Sequence, residues 1–431
     1  MEQEHPQVAE RIGAILVRVA LDWDAFETEL TLAAADAVRA LVATAASETP
    51  YAVAFSEFYA ETTGVIYLPN LALATEESVE EPDCRFSPPD WEHQDYEWGE
   101  TDSQWSDRLS AAVTGLPRAQ WEQAWGRFAE AMLNIAAGVR TALVADGTLP
   151  DDVVVYLDDE DADLLVRSLT ADELRHHFPE YVASAEAERG LLALPVEQRV
   201  AALAAAAGLI RGPGHELGRE RATELLLDTG AAAVPVAVAA LGHPETAWTG
   251  AKFLADLNIA TPEVMDALWA ALPLHGNAHD WVAAALGRLG AGLEVLERND
   301  LPAGSRSAAV AAPYRSFRDQ GRSHLPLDYT LLAAGLADPA VAGVVAEDLK
   351  PGTGYCTLDG ADLPGARLGL DHSEPVIRRH AVIVLSDLIG PMGPGDLDSE
   401  VVKNLERRID ELAADDPDSE VRRLAGYRVR T

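Results

Sequence analysis

The sequence predicts a multidomain chain, with an N-terminal α/β (α+β) domain over residues 1–190 followed by an all-α domain of repeated helices over 191–431. Three observations carry that expectation. Strand-like runs end near residue 157, and a phrase with two arginines recurs near the carboxyl end. Six of the nine tryptophans (Trp23, Trp91, Trp98, Trp105, Trp121, Trp125) stand before residue 130. A chain of 431 residues is also too long for one compact core.

Taken in order, residues from about 7 to 46 are apolar at helical spacing. Ile12, Ile15, Leu16, Val19 and Ala20 make one stripe, and Leu30, Leu32, Ala35, Val38, Leu41 and Val42 another, so two helices, or one bent near Trp23, are expected. Tyr51–Tyr59 and Val65–Pro69 flank Thr62-Thr63-Gly64, which reads as a hairpin. Glu76 to Thr101 is acidic, rich in Pro and Trp and without a sustained period: a structured loop or an irregular helix. Trp121–Val144 reads as a long helix and Val153–Leu157 as a short buried strand. Thr170-Ala171-Asp172-Glu173 has the form of a capping box, which starts a helix.

Beyond residue 192 no strand pattern remains. Helical runs at Val196–Leu209, Glu220–Leu227, Val234–Leu241, Ala247–Leu257, Pro262–Leu272, His279–Leu289 and Tyr329–Leu336 are separated by Gly, Pro, Asp or His. Short loops between such helices make them antiparallel neighbours. Phe253-Leu254-Ala255-Asp256-Leu257 and Ala285-Leu286-Gly287-Arg288-Leu289 lie 32 positions apart. Pro375-Val376-Ile377-Arg378-Arg379-His380-Ala381 and Ser419-Glu420-Val421-Arg422-Arg423-Leu424-Ala425 lie 44 apart. These periods suit helix-pair repeats without being regular. Spacing is least regular from 292 to 370, where Gly352 to Gly369 interrupts the helices.

The second domain resembles the HEAT/armadillo-like repeat families through three turn-and-helix phrases. They are His243-Pro244-Glu245 with Ala251–Leu257, Asp371-His372-Ser373-Glu374 with Val376–Leu388, and Asp416-Pro417-Asp418 with Val421–Tyr427. The resemblance implies a HEAT-like solenoid whose second helices line a concave face. It also implies a ladder of turn aspartates and helix arginines between neighbouring units, with Arg378, Arg379, Arg422 and Arg423 as the candidates. The first domain looks like an uncharacterised bacterial domain family, DUF4303-like. The matching phrases are Tyr51–Phe55, Asn70–Glu77, Cys84-Arg85-Phe86-Ser87-Pro88-Pro89-Asp90-Trp91, Val153–Asp159 and Leu174–Glu180. That resemblance implies a fold and transfers no catalytic residue.

The formal charge of -38 argues against a surface for bulk nucleic acid, because a polyanion is repelled at long range. Residues 1–190 hold 38 acidic and 11 basic side chains, net -27; residues 191–431 hold 33 and 22, net -11. The acidity is therefore concentrated in the first domain. It reads as a solvated surface, as adaptation to high salt (three lysines, Lys252, Lys350 and Lys403, accompany thirty arginines), or as a face for a basic partner. Arg306, Arg315, Arg318 and Arg322 are the one local encouragement for a nucleic-acid groove. Cys84 and Cys356 match no zinc spacing or disulfide framework. The opening Met1-Glu2-Gln3-Glu4-His5 lacks a secretion signal, and no stretch approaches about 20 uncharged apolar residues. A cytoplasmic protein without membrane contact is expected.

The chemistry-bearing clusters each have a structural reading beside the functional one. His275-Gly276-Asn277-Ala278-His279-Asp280 has a metal-compatible spacing but reads as a turn leading into a helix. Asp158-Asp159-Glu160-Asp161 with Asp163 follows a strand, where carboxylates suit a divalent cation or the amino end of a helix. His176-His177 suits a helix carboxyl end. Gly212-Pro213-Gly214-His215 is a helix-separating turn. Nucleophile elbow, Walker loop and dinucleotide fingerprint are all missing, so no catalytic residue, metal ligand or cofactor is assigned.

Trp91, Trp98 and Trp105, among Asp95, Glu97 and other acids, pose a surface for a basic protein against simple core filling. The expectation is a non-catalytic protein-binding scaffold of an immunity or regulatory type. Its alternative is an enzyme of unrecognised type with a carboxylate or metal site at Asp158, Asp159 and Asp161, aided by His176 or His177.

Overall fold

The computed structural model describes residues 21–59, 65–79, 81–100, 103–116, 118–212, 216–274, 276, 278–390, 393 and 397–427. The chain forms two compact units, residues 1–178 and 179–431, and is mostly helical, with one small sheet in the first.

In the first unit α1 (Trp23–Thr44) opens with the Asp22 carboxylate accepting from the Ala25 N–H at 3.1 Å. It buries Phe26, Leu30, Ala34, Ala35 and Val38 at helical spacing. The stripe from Ile12 to Ala20 lies outside the described residues. The sheet has the order β3-β2-β1-β4, with β1 (Pro50–Ser56), β2 (Asn70–Thr75), β3 (His93–Asp95) and β4 (Val154–Asp158). β2 runs antiparallel to both β1 and β3, and β4 parallel to β1.

Strand alternation splits the sheet into two faces. Val53, Phe55, Leu71, Leu73, Val155 and Leu157 join α1, α2 (Trp105–Val113) and α3 (Arg118–Ala145) in one apolar core. Ala52, Ala54, Ala72 and Ala74 share the other face with Tyr156, whose ring meets Phe86, Trp91 and Phe178. Helix α3 is long and apolar enough to cross a membrane, yet eight of its residues, among them Phe128, Met132, Ile135 and Val139, are buried.

The expected hairpin is corrected in its second strand. β1 pairs with Asn70–Thr75 and not with Val65–Pro69, whose Tyr67 N–H reaches only the Tyr59 carbonyl beyond β1 at 3.5 Å, because Leu71 and Leu73 supply large side chains to one face while Ala72 and Ala74 fit the alanine-lined other. Thr62-Thr63-Gly64 lies outside the described residues. The short β3, inside the aperiodic Glu76–Thr101 stretch, has no sequence pattern to announce it. α4 (Asp163–Ser168) and α5 (Ala171–His177) complete the unit, and the Thr170/Glu173 capping box forms as expected.

The second unit starts at Pro179, ahead of the expected 191. Helix α6 (Pro179–Leu192) belongs to it, since α6 packs on α7 (Val196–Ala206) and its Glu188 meets Arg221 of α8 (Arg219–Leu227) at 2.7 Å. There follow α9 (Val234–Ala240), α10 (Ala247–Leu257), α11 (Pro262–Ala271), α12 (His279–Leu286), α13 (Gly292–Leu296), α14 (Ala303–Ala311) and α15 (Thr330–Ala337). The last five are α16 (Ala342–Asp348), α17 (Leu363–Leu370), α18 (Pro375–Ile389), α19 (Ser399–Asp415) and α20 (Ser419–Tyr427).

Alternate helices stack. α10 packs on α12, α12 on α14 and α14 on α16; α7 packs on α9, α9 on α11, and α18 on α20. The α12–α14 approach is tight enough to require glycine, because a Cβ on Gly287 would stand 2.0 Å from the Ala309 carbonyl oxygen. The phrases 32 residues apart are in direct contact: Asp256 meets Arg288 at 2.6 Å, with both side chains buried.

Candidate functional site

The tryptophans expected on a partner surface are core anchors, which corrects that expectation. Trp91, Trp98 and Trp105 are 2%, 6% and 1% exposed. Their indole N–H groups donate to the Cys84 carbonyl at 3.1 Å, the Pro69 carbonyl at 2.7 Å and the Glu29 carboxylate at 2.9 Å. Of the neighbouring acids, Asp95 accepts from the Glu97 N–H at 2.9 Å and shapes the turn, while Glu97 faces solvent. A buried ring with a satisfied N–H has nothing left to offer a partner.

The acid-and-aromatic surface lies elsewhere in the same unit. Phe58, Tyr59, Tyr67, Trp125, Asp159, Glu160 and Asp161 line an open hollow of about 450 Å³. Tyr59 and Tyr67 are 58% and 41% exposed, and Trp125 stacks on Trp121 with centroids 5.8 Å apart and planes 6° from parallel. Phe128 supports the ring set from the core, 5.6 Å from Trp125 and 6.3 Å from Phe58. Asp159 spends one oxygen as a helix cap, accepting from the Leu164 and Leu165 N–H groups at 3.0 and 3.1 Å. Glu160 and Asp161 are exposed. The arrangement suits a cation, with ring faces to stack a guanidinium or ammonium and carboxylates to neutralise it. Sequence reasoning selected these acids but not Tyr59, Tyr67 or Trp125, of which the tyrosines come from between β1 and β2 and the tryptophan from α3.

Asp158 separates from its neighbours. Ser56 of β1 is in register with Asn70 of β2 on one side and with Asp158 of β4 on the other, so the three form a polar row across the sheet. Ser56 and Asn70 are buried, and Ser56 Oγ and Asn70 Oδ1 have no hydrogen-bond partner. Burial, then the Asp159 charge, push the Asp158 carboxyl up to about 6. His177 packs on Phe86 with centroids 5.1 Å apart, and burial, then the neighbouring His176, lower its affinity for a proton.

Asp158, Asp159 and Asp161 are not among the groups whose ligand atoms converge closely enough for a cation. Among the described residues one group of three or more His, Cys, Asp or Glu side chains brings its ligand atoms within 4.8 Å of one another, and it is His324, Asp359 and Asp362. His275 lies outside the described residues, while His279 begins α12 and Asp280 accepts from Ser305 Oγ at 2.7 Å.

The arginine ladder is present in part. Arg378 is buried and forks onto Asp416 at 2.7 and 2.8 Å, then donates to the His372 and Ser373 carbonyls at 2.8 and 2.9 Å. Burial opposes ionisation of Asp416, but Arg378 and the Asp418 N–H outweigh it and hold the carboxyl below its ordinary range. Arg379 forks onto Asp418 at 3.1 and 2.7 Å. Arg422 instead donates to the Asp416 carbonyl, and Arg423 pairs with Glu420 on its own helix. Those two have no later unit to reach within the described residues. The arginines at 305–322 are likewise largely engaged: Arg306 by Asp338, Arg318 by Asp362, and Arg322 by Asp228 at 2.6 Å.

A thiol and an imidazole also meet, Cys356 Sγ lying 3.9 Å from His380 Nε2. Burial pushes the thiol up to about 12 and the imidazole down to about 4, and His380 is held by the Tyr329 hydroxyl at 2.7 Å and the Tyr314 carbonyl at 2.9 Å. A neutral, enclosed pair of this kind is a packing element and not an activated nucleophile.

Comparison of the chain with protein-family models, with curated proteins and with solved structures found no match.

Proposed function

We propose that this is a protein-binding scaffold that captures a basic protein partner, with the hollow between Tyr59, Tyr67, Trp125 and Asp159–Asp161 receiving a lysine or arginine of that partner. One observation carries the reading: exposed aromatic rings and unneutralised carboxylates share one concave surface. Interface hot spots concentrate where an anchor side chain meets a pocket with charge complementarity. The formal charge of -38 would speed the encounter with a basic protein and make it sensitive to salt. In the same proposal the second unit is a HEAT/armadillo-like solenoid. Its stacked α10, α12, α14 and α16, and the forks of Arg378 and Arg379 onto later turn aspartates, support that assignment.

A photo-crosslinking residue at position 67, introduced in the cells that make the protein, tests the binding role. One discrete adduct is expected, and it should disappear when Glu160→Lys and Asp161→Lys are added. A crosslinker at the exposed Leu368 should not give it. An adduct unchanged by the two charge reversals, or no adduct from position 67, refutes the proposal.

A further inference from the structure

We infer that His324, Asp359 and Asp362 of the second unit form a zinc site. His324 comes from the chain between α14 and α15, and the two aspartates from the turn that leads into α17. His324 Nε2 stands 3.4 Å from Asp359 Oδ2 and 3.3 Å from Asp362 Oδ2. These separations are long for charge-assisted hydrogen bonds, which run at about 2.7–2.9 Å. They match the edge of a tetrahedral site, since zinc bonds of about 2.0–2.1 Å set neighbouring donor atoms about 3.3–3.4 Å apart.

The other carboxylate oxygens are already used, which leaves the Oδ2 atoms to converge on the imidazole. Asp359 Oδ1 accepts from the Ala361 and Asp362 N–H groups at 2.7 and 3.2 Å. Asp362 Oδ1 accepts from Arg318 and from the Leu327 N–H at 2.7 Å, while the Asp359 N–H reaches Asp362 Oδ2 at 3.1 Å. Outer hydrogen bonds of this kind fix the direction of ligating carboxylates at metal centres. Asp362 is fully buried, so its position is set by packing as well.

Charge favours a dication here. Two carboxylates and the single guanidinium of Arg318 leave one negative charge unmatched. His324 also lines a cavity of about 300 Å³ with Arg288, Arg318 and Asp328. Neither aspartate lines that cavity; three protein donors by themselves leave the fourth position of a tetrahedral zinc site for water.

The test uses the full chain, stripped of metal with a chelator, dialysed, and titrated with zinc by calorimetry with elemental analysis of the product. One equivalent is expected to bind. His324→Ala and Asp359→Asn should each weaken binding by ~100-fold or more, as loss of a direct ligand exceeds the 10–100-fold cost of losing a second-shell partner. His372→Ala, whose Nδ1 accepts from the Glu374 N–H outside the site, should bind as the parent does. Both ligand changes avoid buried Asp362, and circular dichroism confirms that each variant is folded. Cobalt(II) gives a second readout: the parent should show the visible absorption of a tetrahedral site, and His324→Ala should lose it. Failure of the parent to bind zinc at micromolar concentrations, or stoichiometric zinc in folded His324→Ala and Asp359→Asn, overturns the assignment. Neither result bears on partner capture by the first unit, which the crosslinking reads separately.

Discussion

Replacing Arg378 by alanine is the sharpest test of what holds the last helices in place. The guanidinium makes two bonds to Asp416 and two to backbone carbonyls, and its side chain and that of Asp416 are 9% and 1% exposed. Removing it strands a buried carboxylate and two carbonyls, and breaking a buried pair from one side costs about 3–5 kcal/mol. Arg379→Ala breaks a fork of the same form, but one whose partners are 27% and 20% exposed, so its expected cost is lower, ~1–2 kcal/mol. Arg423→Ala removes an exposed pair within one helix and a contact with the Tyr427 ring 5.1 Å away, and its cost should be the smallest of the three.

Hydrogen exchange across α20 reads this order directly, because protection of its amides reports the opening of the terminal helices. Protection should fall most in Arg378→Ala, less in Arg379→Ala and hardly at all in Arg423→Ala. Arg378→Met with Asp416→Leu should recover much of the loss, since an apolar pair leaves no buried charge. The reasoning fails if Arg378→Ala costs no more than Arg379→Ala, or if the double replacement is as damaging as the single one.

Asp158 should give the first unit an unusual pH response. A carboxyl raised to about 6 in the fold binds more protons there than in the unfolded chain, so its contribution is full below the unfolded value of 3.8 and is lost as pH rises through about 6. The shift corresponds to ~3 kcal/mol, which the partial exposure of the group reduces to ~1–2 kcal/mol. Denaturation at pH 4 and pH 7 should show Asp158→Asn gaining on the parent by that amount as pH rises, and a gap independent of pH would contradict it. The buried Cys356, with its thiol pushed up to about 12, should resist alkylation until the second unit opens. In Cys84→Ser, thiol labelling should require denaturant; rapid labelling of the native chain would show that the site is open.

Much of the second unit was legible because its signals are local. Helical runs separated by Gly, Pro and Asp gave α7 to α12 nearly residue by residue, and the capping box at Thr170 and Glu173 placed α5 by a contact three residues long. The two phrases 32 apart were legible as a repeat, whereas the contact between their equivalent positions, Asp256 and Arg288, comes from the structure. The first unit was less legible. The sequence pattern pointed to the wrong partner segment for β1 and left the tryptophans open between a partner surface and core filling, because alternation and tryptophan content do not say which partner strand or which cavity will receive a side chain.

What the sequence determined by itself is therefore the helical spacing, the caps, the charge imbalance and the concentration of strand-forming residues before residue 160, all properties of neighbours along the chain. Tertiary structure alone decided which two of four similar arginines, Arg378 and Arg379, bridge to a later turn. It also buried three tryptophans, set Ser56, Asn70 and Asp158 in one row, and brought His324 to aspartates that follow it by 35 and 38 positions. The reason is physical: those outcomes depend on register and close packing between distant segments, where an ångström of displacement decides whether two groups bond, and no local pattern encodes that displacement.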